Sequence, residues 1–147
     1  MFGTIALGAV LFFALFAGIA YSVRGEHYAR YGRVFAALSF LAVLAASVYL
    51  MAAIFQNRFD IGYVASYSSR ELSAFYKFSA FWAGQQGSFL LWLFIHAAAG
   101  VLLARRAGAP EGESKPIYTA GQAEMSRYGL AVYMALQSLL TVLVLAK

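Results

Sequence analysis

Four stretches of this chain, residues 2–23, 34–56, 78–104 and 128–146, contain no Asp, Glu, Lys or Arg over at least 19 residues each. A helix rising about 1.5 Å per residue needs about 20 residues to cross a hydrocarbon core of about 30 Å. A membrane strand would need only about ten and would alternate in polarity, which none of the four runs does. Backbone in lipid must satisfy its own hydrogen bonds, so the runs predict four transmembrane helices. Charged residues make up 12% of the chain, against about 25% in a soluble domain, too few to cover a water-facing surface. The expected fold class is therefore all-α integral membrane, with residues 1–147 as a single membrane domain. The first run has no basic residue ahead of it, is too long for a signal core and lacks a small-x-small cleavage pattern. It is read as a retained span.

Lys and Arg set the expected orientation. The loop after the first span carries Arg24, Arg30 and Arg33, and the loop after the third carries Arg105, Arg106, Lys115 and Arg127. The opposite side has Arg58, Arg70, Lys77 and Lys147. The richer side is cytoplasmic by the positive-inside rule, so both termini and the loop 57–77 are expected to face outward. Because the net charge of +5 is spread over connecting loops without a basic block, nucleic-acid binding is excluded and contact with lipid headgroups is expected. The absence of cysteine removes disulfides, thiolate nucleophiles and thioether attachment points from this chain. Residues 108–122 hold both prolines and read as a flexible connector. The small pairs Ala14/Gly18 and Ala42/Ala46 predict close helix packing and nothing sharper.

The third run is the informative one. Ser68 followed by Glu71 has the spacing of a capping box, and Leu72, Phe75 and Tyr76 then share a helical face. A short interfacial helix leading continuously into the third span is expected, with Tyr63, Tyr67, Tyr76 and Trp82 near headgroup depth. Trp82, Gln85, Phe89, Trp92 and His96 recur at intervals of three and four, so one stripe gathers both tryptophans, an amide and an imidazole. Beside it Gly84, Ser88 and Leu91 form a face suited to close contact. Unpaired amides cost several kcal/mol in lipid, so the Gln85/Gln86 region should meet protein, water or a ligand. His96 has the chemistry of an axial iron ligand, but a hydrogen-bonded helix histidine is the preferred reading. His27, in a loop between arginines, reads as solvated.

The segments YVASYSSREL and FYKFSAFWAGQQGSFLLW resemble the opening of CcmF-type cytochrome c haem lyases. In that family an outward Tyr-Val-Ala-x-x-Ser loop leads to Tyr-Lys or Tyr-Arg. A Trp-Gly-Gly-x-Glu-Gly-Ser-x-Leu-Leu-Trp segment then opens the third span. Tyr63, Val64, Ala65, Ser68, Tyr76, Lys77, Trp82, Gly84, Gly87, Ser88, Leu90, Leu91 and Trp92 match, with Gln85 inside the motif. The nitrite-reductase-associated haem lyases share the pattern. Gln86 stands where the family usually has Glu, Ala83 where it has Gly, and Ser73 where a proline is common. No charge or proton role of that glutamate therefore carries over.

The resemblance implies attachment of haem to apocytochrome c outside the bacterial cytoplasmic (inner) membrane. The partners implied are the remainder of the lyase, a haem chaperone and the apocytochrome, whose thiols take up the haem vinyl groups. The family's Trp-rich haem-handling segment and haem-ligand histidines come later than the matched region. The chain thus resembles the first portion of a longer or split lyase. Haem is expected in the assembled lyase and none on this chain alone, which has no catalytic or metal-binding residues of its own. His96, Trp82 and Trp92 are the weak cofactor-binding candidates. The alternative is a non-catalytic membrane scaffold with no share in the haem site. The Gly84–Ser88 notch would either border the haem-handling region or dock a helix, and helix docking is preferred. A proton-coupled exporter is disfavoured because no span holds an ionisable Asp, Glu, Lys or Arg.

Overall fold

The computed structural model describes residues 2–106 and 120–146, all of whose regular elements are helices. They are α1 (Phe2–Ser22), α2 (Glu26–Phe55), α3 (Gly62–Tyr67), α4 (Ala74–Ala80), α5 (Gln85–Arg106) and α6 (Ala120–Leu145). Four of them, α1, α2, α5 and α6, are long and apolar enough to cross a membrane. The chain is an all-helical, multi-pass membrane protein. The expected connector 108–122 lies almost wholly outside the described residues.

The long helices form a ring in which α1 packs on α2 and α6, and α5 closes the ring by packing on the same two. Small residues permit the close approach. Ala14 and Ala17 are fully buried on α1, and a Cβ at Gly18 would lie 3.5 Å from the Cβ of Met134 on α6. The core divides into two clusters. Val10, Val43, Ile54, Val64 and Leu93 centre the cluster nearer the 56–84 loop. Tyr21, Ala36, Ala104, Leu130 and Met134 centre the one nearer the α1–α2 turn. Only about a third or less of each span's most apolar window is buried inside the bundle. The remaining apolar surface needs lipid or other membrane helices against it.

Four boundaries differ from the sequence expectation, among them the start of α6 at Ala120 rather than near Tyr128. Helix α2 begins at Glu26 rather than near Val34, so the basic loop shrinks to the turn around Gly25 (φ 129°). Arg30 and Arg33 extend the helix beyond the apolar run because straight-chain charged residues are good helix formers once they reach the interface. His27 is accordingly a first-turn residue of α2, exposed to solvent. The expected helix from Ser68 into the third span is instead two short helices and a bend. Ser68 closes α3, its backbone N–H donating to the Val64 carbonyl, and its Oγ is buried without a partner among the described residues. α4 starts after Ser73, again without a side-chain cap, and α5 starts at Gln85, seven residues beyond Phe78. The capping box fails because α3 must run through Tyr67 to hold Tyr63 and Tyr67 one turn apart. Ser68 is then committed to ending a helix, and tertiary contacts override the local cap signal.

α2 ends in a Schellman motif, with Asn57 left-handed at φ 55°. The Arg58 N–H reaches the Ala53 carbonyl at 3.0 Å and the Asn57 N–H reaches the Ile54 carbonyl at 3.2 Å, satisfying carbonyls the helix end would leave open. Lys77 Nζ donates to Asn57 Oδ1 at 2.8 Å, tying α4 to that helix end. Arg58 and Asp60 pair twofold at 2.8 Å on the exposed surface, and the Arg58 hydrogen bond holds the Asp60 carboxyl below its ordinary range.

Candidate functional site

The bend between α4 and α5 is where the motif residues converge. Phe81, Trp82 and Ala83 donate backbone N–H bonds three residues back, to Phe78, Ser79 and Ala80. This is the tighter geometry that often ends a helix. Such a break leaves backbone groups open near membrane depth, where each must find a partner. Tyr63 supplies several. Its hydroxyl accepts the Gly84 N–H at 3.1 Å and faces the carbonyls of Phe81 at 3.0 Å and Ala80 at 3.1 Å, to either of which it can donate. Burial pushes the Tyr63 phenol above its ordinary pKa, so it keeps its proton for that donation across the neutral range. Ser88 Oγ donates to the Trp82 carbonyl at 2.8 Å.

Two glycines make room for this. A Cβ at Gly87 would overlap both the Phe81 carbonyl oxygen and the Tyr63 hydroxyl, and one at Gly84 would run into the rings of Tyr67 and Tyr63. Those two rings lie 4.9 Å apart, one helical turn apart on α3. The immediate neighbour of the Gly84–Ser88 notch is therefore the chain's own α3, in the connection between α2 and α5. Tyr63, Gly84, Gly87 and Ser88 come together here, while Lys77, in the last turn of α4, is tied instead to Asn57 at the end of α2.

The other candidates lie apart from this corner. Tyr76 is exposed and meets Phe75 edge to face at 5.7 Å. Trp82 stands on the bend rather than on α5, its ring edge to face with Phe78 at 5.1 Å. The expected stripe thus begins at Gln85, an exposed side chain, and continues through Phe89, Trp92 and His96. Trp92 is 65% exposed on the outside of the bundle.

His96 is held by α6. Its ring stacks on Tyr133 with centroids 3.8 Å apart and planes 7° from parallel. Its Nε2 lies 3.2 Å from the Tyr133 carbonyl, to which it must donate, while Tyr133 Oη–H donates to the His96 carbonyl at 2.8 Å. An axial iron ligand needs an unprotonated nitrogen and an open approach. Here Nε2 carries the bonded hydrogen, which leaves Nδ1 as the unprotonated nitrogen, and one ring face is covered by Tyr133. No group of three or more His, Cys, Asp or Glu suited to a metal ion occurs among the described residues.

A polar knot in the bundle went unread in the sequence. Gln137, 1% exposed on α6, donates from Nε2 to Ser39 Oγ on α2 at 2.7 Å. Ser39 in turn donates to the Val10 carbonyl on α1 at 3.3 Å. Thr141 and Ser138, also buried, donate back to the carbonyls of Gln137 and Met134. A lone Gln followed by Ser and Thr at i+1 and i+4 in a charge-free span was the available signal, since polar side chains there turn inward.

Neither a protein-family profile nor a solved structure matches this chain. Over 63 residues it is 40% identical to the cytochrome c-type biogenesis protein CcmF of Escherichia coli (strain K12). That segment is 43% of this chain and 10% of that protein, so the match spans a tenth of its length. The similarity supports a relationship of this chain to cytochrome c biogenesis over part of its length.

Proposed function

We propose that this chain is a membrane portion or subunit of a cytochrome c haem lyase, contributing scaffold to haem attachment on the outer side of the bacterial cytoplasmic membrane. The observation that carries this reading is the 40% identity over 63 residues with a protein named for cytochrome c-type biogenesis. The corner built by Tyr63, Gly84, Gly87 and Ser88 supports a positioning role, because these groups are spent on the chain's own backbone. Its partners would be the rest of the lyase, a haem chaperone and the apocytochrome, and haem would be held by the assembled lyase. The same commitment of the motif residues favours a second reading, a non-catalytic assembly subunit with no share in the haem site. Deleting the gene should abolish covalently attached haem in the cell's c-type cytochromes, read by haem staining of denaturing gels. Normal maturation would overturn both readings. A haem spectrum from the purified chain alone would overturn the assignment of haem to the assembled lyase.

Orientation follows from the seven Lys and Arg of the 24–33 and 105–127 segments against four on the other side. A cysteine replacing the exposed Ser66 on α3 should react with a membrane-impermeant thiol reagent in intact spheroplasts. One replacing Ser114 should react only after lysis. The reverse pattern would turn the protein over in the membrane.

A further inference from the structure

A cavity of about 410 Å³ runs along the seam of α5 and α6, from Phe89 to Ala99 on one helix and from Tyr133 to Leu140 on the other. Trp92 and Ile95 at its edge are exposed on the outside of the bundle, and His96 is half-buried in its wall. Trp92 and His96 stand roughly 10 and 16 Å along a helix that begins at Gln85, which puts both inside a hydrocarbon core of about 30 Å. Each brings one unspent polar atom to that depth. The Trp92 Nε1–H makes no hydrogen bond among the described residues. His96 Nε2 is spent on the Tyr133 carbonyl, which leaves Nδ1 as an acceptor with no partner there. The stack on Tyr133 holds the imidazole towards α6, and the indole and imidazole do not pair within the chain. A donor and an acceptor left open in hydrocarbon each cost free energy. Phospholipid acyl chains carry neither kind of group, so lipid in the cavity would leave both open.

From this we infer that a second copy of the chain packs on the α5–α6 seam, the Trp92 indole of each copy donating to the His96 Nδ1 of the other. A two-fold contact needs a surface that complements itself, with one residue meeting a second and that second meeting the first. A helix that carries one open donor and one open acceptor a turn apart has this property. Both copies enter the membrane in the same sense, so the two-fold axis lies along the membrane normal. The two groups then differ in height by about 6 Å, one helical turn, which the long indole side chain crosses. Ala99, small and one turn below Ile95, lets the two α5 backbones approach. The inference does not rest on the cytochrome c reading, and it stands or falls separately.

The test uses the full chain, which has no cysteine of its own, in phosphatidylcholine vesicles. A single cysteine replacing Ile95 or Ala99 should give a disulfide-linked dimer on mild oxidation. One replacing Phe12, exposed on α1 across the ring, should not. Energy transfer between copies dye-labelled at Ser66→Cys, followed on dilution with lipid, measures the dissociation constant. Trp92→Phe keeps an aromatic ring and should raise that constant about tenfold, the effect of two lost interhelical hydrogen bonds. His96→Phe keeps a ring for Tyr133 and should do the same. Mixing the two variants leaves one indole facing one imidazole, so the mixed pair should associate about threefold more tightly than either variant alone. Packing by shape alone would give no such recovery. Monomers at every dilution would overturn the inference. So would crosslinking at Phe12 as efficient as at Ile95, indifference to Trp92→Phe, or a mixture no tighter than its parts.

Discussion

Gly87→Ala is expected to destabilise the protein by about 1–3 kcal/mol, the usual cost of forcing one extra carbon into a packed site. On helix propensity alone the same change should stabilise by about 0.5–1 kcal/mol, because alanine is the better helix former. The sign therefore separates the two effects. Gly129 on α6 supplies the control, since a Cβ there meets nothing within 4 Å, so Gly129→Ala should be neutral or mildly stabilising. At Gly87 the added carbon overlaps the Phe81 carbonyl oxygen and the Tyr63 hydroxyl, so both α3 and the bend itself must shift for it to fit. Tyr63→Phe removes the hydroxyl but keeps the ring. It should cost less than Gly87→Ala while exposing the Gly84 N–H. Unfolding in mixed detergent micelles measures all three, with Trp82 as the fluorescent reporter in a Trp92→Phe background. A stabilising Gly87→Ala would show that the corner is not the tight contact described here.

The span pattern was legible because hydrocarbon thickness imposes a length and an absence of charge that no local preference can override. Where that rule stopped, so did the reading. Arg30 and Arg33 marked the edge of the apolar run, but the hydrogen-bond ladder of α2 continues past it to Glu26. At Ser68 and Glu71 a local cap signal competed with the ring contacts of Tyr67, and only the folded packing decides between them. The motif around Gly84, Gly87 and Ser88 was visible as loosened helix, but its neighbour was not. Tyr63 lies 21 residues before Gly84, and nothing in helical spacing points from one to the other. The His96–Tyr133 pair lies across 37 residues and was hidden for the same reason. Periodicity finds faces, whereas pairings between faces need the bundle.

The polar knot of α1, α2 and α6 gives the second large effect, and it should differ in sign between its two side chains. Ser39→Ala removes the acceptor of the Gln137 Nε2–H, and Gln137 Oε1 is already buried without a partner among the described residues. The whole amide would then be unsatisfied in a span, at an expected cost of about 1–3 kcal/mol. Gln137→Leu instead deletes the donor and the orphaned oxygen together. Ser39 keeps its own bond to the Val10 carbonyl, and an apolar side chain of similar bulk fills the space. That change should be neutral or stabilising, because replacing a half-satisfied polar group removes its desolvation penalty. In the Gln137→Leu background Ser39→Ala loses only the Val10 bond, so its cost should fall below about 1 kcal/mol. Equilibrium unfolding of the four proteins in mixed micelles gives this cycle directly. If both single variants destabilise by similar amounts, the knot holds the bundle by mutual attraction, and the unpartnered oxygen carries no penalty of its own. If the predicted opposite signs appear, the amide is kept at a cost to stability, and the ring order of α1, α2 and α6 owes more to Ala14, Ala17 and Gly18 than to Gln137.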